Sequence, residues 1–222
     1  MSYSKNIGLE KPELEKYIQD HSDVEDPILY ELFRQTHLKL YHPRRSSDHQ
    51  IGLFLKTISQ MINPNRILEI GTYSGYGTIC LAKGLAENGR IHTIEINDEM
   101  EAFIKQAFTK SGYQDKIQLH IGDAKEIIPS FKEEFDLVFI DAEKDEYCAY
   151  YELVIDKVKP GGFLLADNVL WSGKVIENDL PTNDHFTRGL KEFNSMVQQD
   201  SRVENSIIPA YDGIMIIRKT NP

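Results

Sequence analysis

Short apolar runs alternate with stretches of helical periodicity in the part of the chain that follows Asn63-Pro64. The apolar runs cover residues 67–71, 91–96, 117–122, 135–141 and 162–167. Between them lie predicted helices over residues 75–86, 98–111, 124–128 and 146–158. Nearly continuous apolar strands separated by helices are typical of a parallel sheet that is covered on both faces. The pattern therefore predicts an α/β fold built on a mostly parallel, Rossmann-like sheet.

Helices precede this alternating region. The sequence predicts them over residues 11–21, 27–41 and 48–62. In the third helix, apolar residues recur at three-to-four spacing and give one face that can pack on a sheet. These residues are Ile51, Phe54, Leu55, Ile58 and Ile62. We expect a single domain over residues 1–222, with a helical lead-in over 1–63 and the α/β core over 64–222.

The C-terminal end of the chain has a different pattern. A predicted helix over residues 182–199 is followed by two apolar strands, RVENSIIP and GIMIIRK, and Asp212-Gly213 lies between them. Asp-Gly is a turn signal, and two strands joined by so short a connection run antiparallel. We therefore predict a C-terminal hairpin at the edge of the sheet.

Composition and charge exclude several classes of partner. The net charge of −10 argues against nucleic acid, because phosphate backbones are bound largely by clustered Lys and Arg. No stretch approaches the about 18 consecutive apolar residues of a membrane span, and the first residues contain no hydrophobic signal core. Cys80 and Cys148 lie far apart in the sequence and lack CxxC spacing, which indicates reduced thiols in a cytosolic protein. We expect a cytoplasmic protein that binds neither nucleic acid nor a membrane.

A glycine-rich segment follows the first predicted strand and leads into a helix. It runs Glu69-Ile70-Gly71-Thr72-Tyr73-Ser74-Gly75-Tyr76-Gly77, and such a turn lets a ligand approach the backbone closely. The second strand ends in Glu95, 24 positions after Gly71, where a carboxylate can accept hydrogen bonds from ribose hydroxyls. The third ends in Gly122-Asp123-Ala124, where an adenine could lie. These strand ends predict a site for an adenosine-containing ligand; the alternative is a tight turn and a solvated Glu95.

The same loop favours S-adenosylmethionine over a nicotinamide dinucleotide. It lacks the Gly-x-Gly-x-x-Gly order of the dinucleotide fingerprint, because Tyr73 stands two positions after Gly71. It also begins with Glu69, whose carboxylate would repel a pyrophosphate but not a cationic sulfonium compound. The layout of the sheet alone leaves a dehydrogenase open as the alternative.

Acidic residues follow the fourth and fifth predicted strands. The fourth ends in Asp141-Ala142-Glu143-Lys144-Asp145 and the fifth in Asp167-Asn168. Since the carboxyl ends of neighbouring parallel strands face one crevice, Asp141, Asp167 and Asn168 can meet there. Their hard oxygens suit Mg²⁺ as the first candidate, with Mn²⁺ and Ca²⁺ as alternatives, and no Cys or His cluster in the sequence points to zinc. The competing interpretation is that both aspartates cap the following helices while Asn168 turns the chain.

Lys144 lies three positions after Asp141. Near a divalent cation its ammonium form is disfavoured by like charge, so its pKa could fall far enough for it to accept a hydroxyl proton. The alternative is a solvent-exposed lysine in the first turn of a helix. Spacing alone does not decide between the two.

These segments together resemble the cation-dependent O-methyltransferases, the family of catechol and caffeoyl-CoA O-methyltransferases and their bacterial relatives. The similarity runs from about Ser46 to the C-terminus, with the markers LEIGTYSGYGT, IEIN, GDAKEIIP, FDLVFIDAEKDEYCAYYE, a KPGG turn before GFLLADNVLWSGKV, LKEFN and DGIMIIRK. The resemblance implies a seven-stranded methyltransferase sheet and a homodimer. It also implies Asp141, Asp167 and Asn168 as metal ligands and Lys144 as the catalytic lysine, and we predict Lys144 and Asp141 as the catalytic residues.

The resemblance further implies which residues contact S-adenosylmethionine. They are Ser47, Glu69, Gly71, Gly77, Glu95, Ala124, Glu143 and Tyr150. We add Thr72, Asp123 and Asp141 to this set because they lie in the glycine-rich loop or at the strand ends. Glu143 and Gly77 stand where related enzymes often have Asp and Ser; the first keeps an acceptor and the second removes a hydroxyl contact. Residues 171–185 would shape the acceptor pocket, with Trp171 and Tyr211 as stacking candidates or as ordinary packed residues.

The predicted reaction is a single in-line methyl transfer from S-adenosylmethionine to one hydroxyl of a vicinal diol. Three protein oxygens on an octahedral cation leave three positions, enough for both oxygens of a catechol-like or caffeoyl-like phenol and one water. Lys144 would take the hydroxyl proton. Two other functions stay open at this point: an NAD(P)-dependent oxidoreductase on a similar sheet, and a non-catalytic S-adenosylmethionine-binding protein.

Overall fold

The structure is a computed structural model that describes residues 12–221, so the predicted helix start at Lys11 lies outside the described residues. The α-helices are α1 (Pro12–Asp20), α2 (Pro27–Lys39), α3 (His49–Ile62), α4 (Tyr76–Ala82), α5 (Glu101–Ser111), α6 (Ala124–Ile127), α7 (Tyr147–Ile155) and α8 (His185–Gln199). The strands are β1 (Arg66–Ile70), β2 (Arg90–Glu95), β3 (Ile117–Ile121), β4 (Phe135–Ile140), β5 (Val158–Ala166), β6 (Val203–Ile208) and β7 (Ile214–Lys219). Over residues 12–221, no helix has the length and apolar character needed to cross a membrane.

The strands form a seven-stranded sheet in the order β3-β2-β1-β4-β5-β7-β6. β1 and β3 both pair in parallel with β2, whereas β7 pairs antiparallel with β5 and with β6. The C-terminal hairpin therefore lies where it was predicted, with β6 at the edge. The predicted fold class, an α/β mostly parallel Rossmann-like sheet of the methyltransferase type with N-terminal helices, is confirmed.

The described chain divides into two compact units. Residues 23–137 form one, and residues 12–22 together with 138–221 form the other. Each unit contains fully buried apolar side chains, such as Leu55 in the first and Phe193 in the second. The organisation as one domain with a lead-in over 1–63 and a core over 64–222 stays a prediction.

In the unit of residues 23–137, α3 begins and ends where its sequence dictates. The Asp48 carboxylate accepts a hydrogen bond from Ile51 N at 3.0 Å, which satisfies an amide that has no partner inside the helix. The helix then buries the predicted apolar face through Ile51 and Leu55. It ends at Asn63, whose φ of 51° is left-handed, and Pro64 follows.

The strands of this unit are held by aliphatic side chains. Ile67, Leu68 and Ile70 of β1 are buried, as are Ile91 and Ile94 of β2. Burying one such side chain contributes about 1.5–3 kcal/mol. This packing fixes the carboxyl ends of β1 and β2, from which the functional side chains project.

In the unit that contains residues 138–221, α7 and α8 pack through aromatic rings. Tyr147 and Tyr151 of α7 meet Phe193 of α8 edge to face, with ring centroids 5.4 and 6.0 Å apart. α8 also buries Leu190 and Val197 on the same side. Tyr147 OH also lies 3.2 Å from Ile140 O, which holds the start of α7 next to the end of β4.

The region around Pro160 differs from the prediction. The helix predicted over 146–158 ends at Ile155, and β5 begins at Val158, so Lys159-Pro160-Gly161-Gly162 lies inside the strand and is not a turn before it. Lys159 precedes a proline, which disfavours the helical conformation and favours extended backbone. The apolar pattern had indicated a strand only from Gly162 on.

Candidate functional site

The loop between β1 and α4 takes backbone conformations that suit glycine. Gly71 (φ 100°) and Gly75 (φ 84°) have positive φ, and so does Tyr73 between them (φ 45°). Gly71 N and Thr72 N lie 3.0 and 3.2 Å from Ile94 O. The end of β2 therefore fixes the start of the loop, and a ligand can approach the backbone where the glycines carry no side chain.

Glu69, the acidic residue of β1, is 1% exposed. Its Oε2 accepts hydrogen bonds from Thr78 Oγ1 and from Thr93 Oγ1, the latter at 2.5 Å. Because Thr93 uses its only hydroxyl proton for Glu69, Thr72 Oγ1 donates to Thr93 Oγ1, at 2.5 Å. Two threonine hydroxyls thus hold the buried carboxylate, and the third, from Thr72, orients Thr93.

Gly77 lies against two other residues that were predicted to bind the cofactor. A methyl group on Gly77 would lie 3.2 Å from Glu69 Oε1 and 3.5 Å from Ser47 Oγ. The structure therefore brings Ser47, Glu69 and Gly77 together. The absence of a side chain at position 77 leaves room beside the Glu69 carboxylate.

Glu95, at the end of β2, receives two backbone amides. Its Oε2 accepts from Tyr73 N at 2.7 Å and its Oε1 from Asn97 N at 2.9 Å. Each carboxylate oxygen has two lone pairs, so both can accept a further hydrogen bond from a ligand hydroxyl. The glycine-rich loop and the end of β2 are therefore one structure, as the sequence predicted.

The end of β3 joins the same structure. Gly122 N donates to Glu95 O at 2.8 Å. Asp123 Oδ1 accepts from Lys125 N at 2.8 Å and so caps α6, while Ala124 is buried. The structure thus shows a capping role for Asp123, and the cofactor contacts of Asp123 and Ala124 stay predictions.

In the other unit, a hydrogen-bonded cluster follows β4. Lys144 Nζ lies 2.8 Å from Asp141 Oδ1 and 2.8 Å from Tyr147 OH. Tyr147 OH lies 3.0 Å from the backbone oxygen of Asp167, so it accepts from Lys144 and can donate to that carbonyl. Lys144 is only 7% exposed, and the interpretation of Lys144 as a solvent-exposed lysine is therefore wrong.

Opposing effects act on the Lys144 ammonium. Burial alone would lower the pKa of Lys144, but the negative charges of Asp141 and Asp167 outweigh it, and the pKa lies above its usual value. The fall in pKa that the sequence suggested beside a cation is therefore not a property of this arrangement of side chains alone. It requires that the charge of the two carboxylates be neutralised.

Asp167 and Asn168 follow β5 directly. Burial, and after it the charge of Asp141, raises the pKa of Asp167 to about 7. Asp167 Oδ1 accepts from Asn168 N at 2.7 Å, and Asp141 accepts from Lys144, so neither carboxylate caps a helix. The capping alternative is wrong for both, although Asn168, with a φ of 60°, does turn the chain.

The last two predicted cofactor residues flank this cluster. Glu143 precedes Lys144, and its side chain makes no capping hydrogen bond. Tyr150 is buried, with its hydroxyl 2.5 Å from Glu146 Oε2. Their contacts with the cofactor stay predictions.

The family model described as O-methyltransferase matches residues 19–220. The chain belongs to this O-methyltransferase family. The predicted enzyme class, an S-adenosylmethionine-dependent O-methyltransferase, is thereby confirmed, and the oxidoreductase alternative is discarded.

Relatives of this O-methyltransferase carry two activities in their names. The chain is 32% identical over 183 residues to the catechol O-methyltransferase of Niastella koreensis, which covers 78% of this chain and 82% of that protein. It is 33% identical over 177 residues to caffeoyl-CoA O-methyltransferase 1 of Eucalyptus globulus, which covers 76% of this chain and 72% of that protein.

Solved structures resemble the whole fold of this O-methyltransferase. TomG from Streptomyces achromogenes, an O-methyltransferase of tomaymycin synthesis in complex with SAM, has a TM-score of 0.87 at 28% identity, over 94% of this chain and 96% of that chain. The O-methyltransferase from Bacillus cereus, in complex with SAH, also has a TM-score of 0.87 at 28% identity, over 94% and 97% of the two chains.

Sequence reasoning missed four side chains of this O-methyltransferase. Thr93 lies opposite Glu69 in the β1–β2 register, so it could have been found by pairing the predicted strands. Thr78 lies in α4, and its contact with Glu69 depends on the phase of that helix. Tyr147 is three residues after Lys144, a spacing that puts both on one helix face. The fourth, Asp212, lies in the β6–β7 turn, and its charge adds to the effects that raise the pKa of Asp167. Its remote sequence position gave no signal.

Proposed function

We propose that this protein transfers a methyl group from S-adenosylmethionine to one hydroxyl of a vicinal-diol phenol, with a divalent cation bound at Asp141, Asp167 and Asn168. The observation that carries the proposal is the buried cluster in which Lys144 joins Asp141 to Tyr147. A buried lysine beside two carboxylates has the groups that cation binding and proton removal require. Its relatives named for catechol and caffeoyl-CoA support the acceptor class.

Glu69, Glu95 and the loop between β1 and α4 would hold S-adenosylmethionine. The buried Glu69 carboxylate suits a cationic ligand, and Glu95 can accept hydrogen bonds from hydroxyls while it stays fixed by Tyr73 N and Asn97 N. Bound there, S-adenosylmethionine supplies an electrophilic methyl group on a sulfonium. The SAM and SAH complexes of the two similar structures support this assignment.

Replacement of Glu95 tests the cofactor side. Glu95→Ala is expected to weaken S-adenosylmethionine binding about 10- to 100-fold, because hydrogen bonds to a charged group contribute about 1.5–3 kcal/mol. Isothermal titration calorimetry measures this, with the exposed Glu99→Ala as the matched control. Wild-type affinity in Glu95→Ala would remove Glu95 from the site.

The donor chemistry fits a hard divalent cation. Two carboxylates and one carboxamide offer three oxygen donors, and the pKa of Asp167 is raised first by burial and then by the charge of Asp141, two effects that a bound cation would oppose. Within residues 12–221, no group of three or more His, Cys, Asp or Glu side chains could hold a metal ion, and the proposed donor set has two such side chains and the carboxamide of Asn168. A cation bound there would lower the pKa of a coordinated hydroxyl and neutralise developing charge.

Lys144 has the geometry of a general base. A neutral amine has two N–H bonds and one lone pair. Asp141 Oδ1 and Tyr147 OH, each 2.8 Å from Nζ, account for both N–H bonds and leave the lone pair for an incoming proton. Tyr147 is fixed as the acceptor because its own proton can go to Asp167 O. When the carboxylate charges are balanced, two effects that raise the pKa of Lys144 are removed, while burial still lowers it.

A methylation assay tests the function directly. We expect methyl transfer to catechol or caffeoyl-CoA with S-adenosylmethionine and Mg²⁺, and loss of turnover in excess EDTA that Mg²⁺ restores. Mass spectrometry of the product checks both results. Tight S-adenosylmethionine binding without methylation of any diphenol would refute the proposed acceptor class, and full turnover in EDTA would refute the cation.

The assembly and location of the protein rest on sequence alone. We propose a homodimer on the strength of the resemblance, a single small-molecule phenolic acceptor, and no nucleic-acid partner because of the net charge of −10. The molar mass measured by light scattering after size-exclusion chromatography distinguishes a monomer of 25.6 kDa from a dimer. The cytoplasmic location stays a prediction.

A further inference from the structure

The turn between β6 and β7 holds the loop that follows β5. Val169 N donates to Gly213 O at 3.0 Å, and Leu170 N donates to Asp212 O at 2.9 Å. Ser172 N donates to the carboxylate Oδ1 of Asp212. Three amides of one loop are therefore bound by two consecutive turn residues, and one of these bonds goes to a side chain.

Both segments have unusual backbone conformations. Asn168, Trp171 and Ser172 have φ values of 60°, 47° and 54°, and Tyr211 in the turn has 58°. The left-handed region is unfavourable for residues with a Cβ, so such conformations persist only where surrounding bonds fix them. At Ser172 the bond that fixes the amide comes from Asp212.

This loop bears directly on the proposed site. It begins at Asn168, a proposed cation ligand, and it carries Trp171, whose ring meets Phe186 edge to face at 5.9 Å. Asn194 Nδ2 donates to Val169 O at 2.9 Å and holds the loop from α8. The Asp212 carboxylate is thus the side-chain anchor at the far end of the loop from Asn168.

We propose that Asp212 is a positioning residue for methyl transfer: it holds residues 168–173 in the conformation that places Asn168 and the Trp171 ring for the phenolic acceptor. The inference rests on the proposed function for the identity of the acceptor. Its physical basis is the hydrogen bond from Ser172 N together with the left-handed backbone of Trp171 and Ser172. Asp212 itself does not take part in the chemistry.

Substitution at position 212 separates the hydrogen bond from the charge. Asp212→Asn keeps an oxygen that can accept from Ser172 N, whereas Asp212→Ala removes it. For Asp212→Ala we expect the acceptor KM to rise about tenfold or more while the KM for S-adenosylmethionine stays unchanged, since a displaced binding group loses acceptor affinity. For Asp212→Asn we expect a change of less than about threefold.

The fluorescence of Trp171 gives a readout that needs no acceptor and no activity, because the chain has a single tryptophan. Asp212→Ala should make Trp171 more accessible to acrylamide quenching, and Asp212→Asn should quench as the wild type does. The exposed Asp115→Ala, just before β3, is the matched control and should change nothing. Failure of the proposed function would appear instead as a wild-type enzyme that methylates no diphenol.

A second variant tests the turn without touching the carboxylate. A side chain on Gly213 would lie 2.4 Å from Leu170 Cγ, and Gly213 has a φ of 83°, so Gly213→Ala should displace the loop and raise the acceptor KM in the same direction. Wild-type quenching and wild-type acceptor KM in Asp212→Ala would overturn the proposal. So would an Asp212→Asn variant as impaired as Asp212→Ala, because charge and not the loop hydrogen bond would then be responsible.

Discussion

Asp141→Ala is expected to reduce kcat by about 10³-fold or more, because the proposed cation would supply several kcal/mol of charge stabilisation and this variant removes one of its two proposed carboxylate ligands. It also removes one of the two hydrogen-bond partners of Lys144 Nζ. Binding of S-adenosylmethionine should largely survive. Single-turnover methyl transfer with added Mg²⁺ and calorimetry with S-adenosylmethionine measure the two effects separately.

The exposed Asp145→Ala is the control for this variant and should be fully active. Undiminished turnover in Asp141→Ala would contradict the cation site.

A pH series adds an independent test on the wild type. The pKa of Asp167 is raised to about 7, so Asp167 binds a proton below that pH and the proton competes with the cation. Mg²⁺ affinity should therefore be constant above pH 7 and fall about tenfold per pH unit below it.

Lys144→Ala is expected to lower kcat by about 10²–10⁴-fold at neutral pH, the usual contribution of a general base. The acceptor KM should change little, because Nζ contacts Asp141 and Tyr147 and acts on the proton only. The remaining activity should rise with pH as hydroxide ionises the phenol. Small primary amines added to the solution should restore part of the rate, which a merely structural lysine would not allow.

Two measurements guard the interpretation of this variant. The melting temperature of the variant reports the effect on stability of losing the buried Lys144 ammonium group beside Asp141 and Asp167. The affinity for S-adenosylmethionine shows whether the cofactor site is intact. The exposed Lys132→Ala serves as the matched control and should match the wild type in all of them. An unchanged kcat in Lys144→Ala would assign Lys144 a structural role only.

Much of the fold followed from periodicity. Apolar runs such as residues 67–71 and 91–96 became β1 and β2 within one residue, because a strand buried on both faces must be apolar throughout. The antiparallel hairpin followed from Asp212-Gly213. The start of β5 did not, since Lys159-Pro160-Gly161-Gly162 has turn composition but continues the strand. Local composition competes with sheet pairing there, and the sheet decides.

Some residues of the site were predicted from the sequence and others were not. Residues that chain order alone brings to strand ends, such as Glu69, Glu95, Asp141 and Asp167, were found from the sequence. Their hydrogen-bond partners were mostly missed, because Thr78, Thr93 and Tyr147 acquire their roles only through register and helix phase. The burial of Lys144 was also undecided, since the same spacing serves an exposed or a buried lysine.

By itself, the sequence determined the sheet, the glycine-rich loop, the acidic strand ends and the resemblance to the O-methyltransferases that the family match then established. Only the tertiary structure decided that Lys144 is buried between Asp141 and Tyr147, that Asp141 and Asp167 do not cap helices, and that Asp212 anchors the loop after β5. The physical reason is that residue types and periods specify elements, whereas burial and hydrogen-bond partners depend on contacts between residues far apart in the chain. The charge state of a side chain follows from those contacts.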